Sequence, residues 1–336
     1  MQIRSSTLHQ RLTALFLPAL LLALPVAAAA QGKDAAAPYP SRSIRLVVPF
    51  PPGASPNDII GRLLARQLAE SLGQQIVVDN RAGAGGTIGA DVVAKANPDG
   101  HTFLVTSMTS TMSPHVYRKL PYDMEHDLLP VTMIASAPMV IFVHPSIPAT
   151  TIKDFIAYAK ARPGQLNFSS GGNGTVPHFA GEMLKSMAGI SMTHVPYKGG
   201  APASAALIGG EVTMYIDTPT AMLQFAKQGK IKALGVAEKK RVALLPDVPT
   251  LGESGLPGYE IRVWYGFFFP AKTPKPIVMR LHADTVKALN SDDVKSRLAA
   301  IGTEPAGLGP DEFQPMVRAD LRKWARLAKE VGIRPE

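Results

Sequence analysis

The chain has 336 residues and no cysteine. Disulfides, thiolate nucleophiles and cysteine-ligated metals are therefore excluded. The absence suits an oxidising compartment, where a stray thiol would react. Aromatic residues are sparse, at 7% with two tryptophans, and no Lys/Arg run is interleaved with them. A nucleic-acid-binding stripe is thus not expected. The eight histidines show no metal-ligand spacing such as His-x-x-x-His, so neither a metal nor a cofactor is expected. A Gly-x-Ser-x-Gly nucleophile elbow is also missing. After residue 30, no charge-free apolar run reaches the roughly 17–25 residues that span a bilayer.

The first 30 residues differ from the rest. Arg4 and Arg11 precede an apolar stretch, Leu12 to Ala30, which ends Ala27-Ala28-Ala29-Ala30-Gln31. A positive flank, an apolar segment and a small-residue exit describe a Sec signal peptide over 1–30, cleaved after Ala30, rather than a retained anchor. The mature chain is then an exported, periplasmic protein. The net charge is +9, and its Lys and Arg residues are scattered. A basic surface favours anionic partners, although a generally solvated basic surface reads the same way.

Apolar runs and helical periodicity alternate along the chain. Strands are expected at 44–48, 75–79 and 102–106, with helices over 58–72 and 87–96 between them. This βαβαβ order implies a parallel sheet covered by helices. The middle repeats the scheme: strands at 140–143, 166–169, 211–216 and 231–236, and helices over 151–161, 176–188, 201–208 and 218–228. Thr151 with Asp154 suits a capping box. A late strand over 263–269 and amphipathic helices over 275–289 and 310–330 finish the chain. Two similar halves with a late return crossing suggest two lobes joined by two strands, one lobe being 39–138 plus 262–336 and the other 139–261.

Two strand-to-helix loops carry the candidate site. The first is Pro49-Phe50-Pro51-Pro52-Gly53-Ala54-Ser55-Pro56-Asn57-Asp58. Ser55 suits the N-cap, Pro56 the first helical position and Asp58 the third. The second, Ser169-Ser170-Gly171-Gly172-Asn173-Gly174-Thr175-Val176-Pro177-His178, has the same logic: strand end, flexible loop, capping Thr, helix. Such loops lie at the carboxyl ends of parallel strands, where ligands bind. The free N–H groups and the dipole of a helix start attract anions. One such start per lobe makes a carboxylate clamp; ordinary strand-to-helix turns have the same sequence. The candidate contacts are Phe50, Pro52, Gly53, Ala54, Ser55 and Asn57 from the first loop. Ser169, Ser170, Gly172, Thr175 and His178 come from the second. Thr87, Ser107, Tyr197 and Asp217 are added to these.

Asn80-Arg81-Ala82-Gly83-Ala84-Gly85-Gly86-Thr87-Ile88-Gly89 also follows a strand and opens a helix. A dinucleotide fingerprint would need Gly or Ala at 88, which is Ile88. A glycine turn lining the cleft is the better reading. Asp217 ends a strand and suits either a ligand hydroxyl or amine or the cap of the next helix. Ser170 with His178 allows an exported hydrolase as a competing reading, although a first-turn His more often packs. Trp264, near the return crossing, reads as hinge packing.

These motifs, with Tyr39-Pro40, Pro98-Asp99-Gly100, His194-Val195-Pro196-Tyr197-Lys198-Gly199, Pro246-Asp247-Val248-Pro249-Thr250 and Pro257-Gly258-Tyr259-Glu260, resemble one family over nearly the whole mature chain. It is the Bug (TctC-like) family of extracytoplasmic solute receptors of tripartite tricarboxylate transporters. The resemblance implies a type II-like, two-lobed periplasmic-binding-protein fold, each lobe a mainly parallel sheet flanked by helices, with two crossover strands. It also implies a monomeric receptor, not an enzyme, for a small carboxylate: a di- or tricarboxylate, an acidic amino acid or an aromatic acid. One ligand carboxylate would sit between loops 50–57 and 169–175, and a membrane permease or a sensory partner would receive the loaded protein. The family often has Gly-Gly where this chain has Gly53-Ala54, and Pro56-Asn57 before Asp58 is a further departure, so the ligand of a relative does not transfer directly.

Overall fold

A computed structural model describes residues 39–53, 55–333 and 335. The expected signal peptide and Ala54 lie outside these described residues. The chain begins β1 (Ile44–Val48), α1 (Pro56–Leu72), β2 (Ile76–Asn80), α2 (Thr87–Ala94), β3 (Thr102–Ser107). The start of α1 follows from its sequence: the Ser55 hydroxyl accepts the Asp58 N–H, and Pro56 opens the helix. Gly73 closes it in the left-handed conformation that favours glycine, with φ 66°. A short α3 (Thr109–Met112) follows, then β4 (Leu128–Pro138) and β5 (Val140–Val143).

The middle of the chain forms α4 (Ile152–Lys160), β6 (Leu166–Ser170), α5 (Val176–Ala188), β7 (Met192–Pro196), α6 (Gly200–Ile208), β8 (Met214–Asp217), α7 (Pro219–Lys227) and β9 (Lys232–Val236). The Thr151–Asp154 capping box of α4 forms in both directions, each bond 3.1 Å. The chain then returns through β10 (Arg262–Pro270) and ends α8 (Lys275–Leu289), α9 (Asp292–Ala300), β11 (Glu304–Leu308), α10 (Pro310–Glu330).

These strands build two sheets, six-stranded β11-β4-β10-β3-β1-β2 and five-stranded β7-β6-β8-β5-β9. The two-sheet, helix-flanked architecture is the expected one, but the sheets are mixed rather than mainly parallel. β1 runs parallel to β2 and β3, and β6 parallel to β7 and β8. β10 is antiparallel to β3 and β4, and β5 to β8 and β9. The reason is connectivity. β4 leads out of the first sheet and β10 leads back into it, so paired side by side they must run in opposite directions.

The two crossings are bonded to each other where they pass between sheets. Ala237 N–H donates to Met139 O at 2.8 Å, and Ile261 N–H to Ala237 O at 3.0 Å. Next to them, the Arg262 guanidinium donates to Ser136 Oγ at 2.9 Å, to Glu238 at 3.0 Å and to Glu304. Trp264 is fully buried, and its indole N–H donates to Asp320 Oδ2 at 2.7 Å, tying β10 to α10. Phe103, Phe267, Phe268 and Phe313 pack around this strand, with Trp264 and Phe313 edge-to-face at 5.0 Å. Each such side chain contributes about 1.5–3 kcal/mol by leaving water.

Candidate ligand-binding site

The loop after β1 is folded around one carboxylate. Asp58 Oδ2 accepts the Gly53 N–H at 2.8 Å and Oδ1 accepts Asn80 Nδ2 at 2.8 Å, while Arg62 Nε donates to both oxygens. Asn80 also donates to Phe50 O at 2.9 Å. Burial opposes the charge on Asp58, but the hydrogen bonds from Arg62, Asn80 and Gly53 outweigh it and hold the carboxyl below its ordinary range. The loop is therefore preset by the protein. Asn57, in the first turn of α1, is buried, and its Oδ1 has no hydrogen-bond partner among the described residues.

The loop after β6 is set differently. Thr175 has the extended backbone of an N-cap, yet its hydroxyl donates backwards to Gly172 O at 2.7 Å. The expected side-chain cap is absent, so the first N–H groups of α5 are not taken up by Thr175. Ser170 Oγ accepts the Gly172 N–H at 3.1 Å and lies 2.6 Å from His194 Nε2. The Gly174 N–H donates to His178 Nδ1 at 3.2 Å, which leaves the ring proton of neutral His178 on Nε2. His178 and His194 stack with centroids 4.0 Å apart, and His194 stacks in turn on Phe168 at 4.9 Å. Burial, with the nearby Lys185 charge, lowers His178 to about 4. Burial, then His178 and Lys185, lowers His194 to about 3. Both rings are neutral props beneath the loop.

Two further helices start beside these loops. α6 begins after Gly199 and α7 after Thr218. Asp217 sits between them. Its Oδ2 accepts the Tyr215 hydroxyl at 2.5 Å and its Oδ1 accepts the Thr218 N–H at 2.7 Å. Burial raises the Asp217 carboxyl to about 6, against the lowering effect of hydrogen bonds from Tyr215 and Thr218. Tyr215 and Tyr265 are pushed up by burial, with the Asp217 charge adding to it.

All four helix starts meet at one cavity of about 440 Å³. Ser55, Pro56 and Asn57 line it from α1, Thr175, Val176 and Pro177 from α5, Gly200 and Ala201 from α6, and Thr218 from the N-cap of α7. Met139, Val263 and Tyr265 line it from the crossings, and Phe50, Phe225 and Ile301 give it apolar walls. Among the described lining residues Asp217 is the one charged side chain.

Of the residues expected from sequence, Phe50, Gly53, Ser55, Asn57, Ser107, Thr175 and Asp217 line this cavity. Pro52, Thr87, Ser169, Ser170, Gly172, His178 and Tyr197 are not among the lining residues. Ser169 and Ser170 are fully buried, Ser169 Oγ donating to Ala203 O at 3.2 Å. Ser170 is partnered by His194 rather than by His178. The wall formed by Gly200, Ser204, Tyr215, Thr218 and Tyr265 was missed. One signal for part of it was present: Thr218-Pro219 repeats the cap-then-proline pattern of Ser55-Pro56. Among the described residues no group of three or more His, Asp or Glu is placed to hold a metal ion, and no helix is long and apolar enough to cross a membrane.

The model of the family described as tripartite tricarboxylate transporter family receptor matches residues 60–333. The UPF0065 protein in the tcbD-tcbE intergenic region of Pseudomonas sp. (strain P51) is 40% identical over 296 residues, 88% of each chain. Among solved structures, R. palustris Rpa4515 with adipate is 37% identical, with a TM-score of 0.83 over 89% of this chain and 100% of that one. The periplasmic binding protein BugD is 34% identical, with a TM-score of 0.82 over 89% of this chain and 100% of that one.

Proposed function

The chain belongs to the tripartite tricarboxylate transporter receptor family, and from that premise we propose that it is an exported, periplasmic receptor that captures a small organic carboxylate and delivers it to a membrane permease. The observation that carries this reading is the meeting of Ser55 and Thr175, N-caps of helices packed on different sheets, in one cavity. Helix starts present N–H groups and positive dipole ends, which suit a carboxylate without a basic side chain. A relative solved with adipate points to the same ligand chemistry.

In this reading, residues 39–138 with 262–336 form one lobe and 139–261 the other. The lobes turn about the paired crossings at Met139, Ala237 and Ile261. Ligand then selects the closed form, because only that form brings both helix starts to one carboxylate. The receptor acts as a monomer and performs no chemistry of its own. Calorimetry of the mature protein against citrate, C4 dicarboxylates, acidic amino acids, benzoates and phthalates tests the reading. Saturable binding of one class is expected, with the same acid released from the denatured protein in mass spectrometry. Absence of binding across the panel overturns it.

A further inference from the structure

The four helix starts at the cavity do not offer the same environment. At α1, the protein's own carboxylate, Asp58, is offset by Arg62, and α5 has no acidic residue in its first turn. At α6 and α7 the position is taken by Asp217, and none of the described lining residues is basic. A Cβ built on Gly200 would lie 3.9 Å from Asp217 Oδ2, so that carboxylate reaches the start of α6 as well as that of α7. The cavity thus has one side that receives an anion and another that already holds one.

Asp217 is deep in the protein yet retains accessible surface, and that surface is cavity wall. A carboxylate has about four acceptor positions. The Tyr215 hydroxyl and the Thr218 N–H use two of them. Capacity for further donors is left, and the cavity supplies no cation among the described residues. A second ligand carboxylate placed there would face an unscreened like charge at low dielectric.

We infer that Asp217 is a specificity-determining acceptor, and that this receptor selects acids whose second polar group is a hydrogen-bond donor, a hydroxyl or an ammonium, over fully ionised dicarboxylates of the same length. The inference rests on the carboxylate reading of the site and narrows it.

The test is a length-matched calorimetric series at pH 7.5. One arm is hexanoate, 6-hydroxyhexanoate, 6-aminohexanoate and adipate. The other is benzoate, 4-hydroxybenzoate, 4-aminomethylbenzoate and terephthalate. In the wild type the donor-bearing acid of at least one arm is expected to bind tenfold or more tighter than the dicarboxylate of that arm. Asp217→Asn is expected to bring that ratio to within about twofold of unity or to invert it. A wild-type preference for the dicarboxylates overturns the inference, and this ranking decides even if the variant does not fold. Equal donor preference in the wild type and in a folded Asp217→Asn protein overturns it too, leaving Asp217 as a helix-start counter-charge. Binding of the acids without any donor preference sinks the role of Asp217 alone, whereas no binding anywhere in the series sinks the carboxylate reading beneath it.

Discussion

The Ser170 hydroxyl lies 2.6 Å from His194 Nε2, directly behind the loop that carries Gly171 to the cavity. Ser170 is fully buried and also accepts the Gly172 N–H, so its oxygen organises the loop from within. A nucleophile would need the opposite, an oxygen exposed to the cavity. Ser170→Ala leaves the Gly172 N–H and a His194 nitrogen without this partner. A loss of about 1–3 kcal/mol in urea unfolding is expected, because buried polar groups are left unsatisfied. Ligand affinity should fall alongside it, since the α5 start is no longer held. Ester turnover by the wild type that disappears in this variant would show that the serine acts as a nucleophile instead.

The stacked pair His178 and His194 makes stability depend on acid. In the unfolded chain both rings take up protons below about 6.5. In the folded protein burial delays this to about 4 for His178 and about 3 for His194. Between those limits the unfolded chain binds more protons, so the pair's contribution is full above pH 6.5 and is lost as pH falls towards 3. Asp217 acts in the opposite sense: raised to about 6, it favours the folded protein at low pH and loses that contribution as pH rises from 3.8 to about 6. The double variant His178→Asn with His194→Gln keeps ring-like hydrogen-bonding atoms and removes the titration. Urea unfolding at steps from pH 7 to 4 should show a shallower acid limb than the wild type. An identical slope would assign acid sensitivity elsewhere.

Gly85 has φ 62°, and a Cβ there would lie 3.0 Å from Asn173 O and 3.2 Å from the Tyr117 hydroxyl. The glycine turn of the first half thus touches the clamp loop of the second. Gly73 has a similar φ of 66° but open space around its would-be Cβ. Alanine at either position costs about 1 kcal/mol of backbone strain. Only Gly85→Ala should also weaken ligand binding, by about tenfold, because it presses on the carbonyl of Asn173. Calorimetry on the two variants side by side separates these effects. Equal affinities would mean that the Gly85–Asn173 approach does not govern closure.

Trp324 of α10 is fully buried and meets Phe179 of α5 edge-to-face at 5.9 Å. One ring belongs to a helix packed on β4 and the other to a helix packed on the second sheet. Trp264→Phe leaves Trp324 as the sole tryptophan. Its emission should change on saturation with whichever acid binds by calorimetry, since ligand stabilises the form in which the rings meet. Unchanged emission at saturation would place α5 and α10 in the part of the protein that does not move.

Much of the fold was legible because its signals are local. Ser55-Pro56, Thr151 with Asp154, and Gly73 begin or end helices through bonds to their own neighbours. β4 and β11 were not legible. Leu128–Pro138 is an apolar run with Pro130 inside it and no alternation, because it is buried throughout, with β10 and β11 paired to its edges and α8 and α10 packed on it. Glu304–Leu308 contains Pro305 and Gly307 and has weak strand preference; it becomes a strand only because β4 offers an edge.

For the site, the sequence by itself determined which loops begin helices and which can present free N–H groups, since capping depends on residues within one turn. It therefore pointed to Ser55, Asn57 and Thr175. Tertiary structure alone decided which side chains face the cavity. Ser170 and His178 stand in the right loop but turn inward, because Ser170 pairs with His194, 24 residues away, and His178 stacks on the same ring. Tyr215, Thr218 and Tyr265 come together only when β8 and β10 are set beside one cavity. The surroundings of Asp217 follow from that long-range assembly.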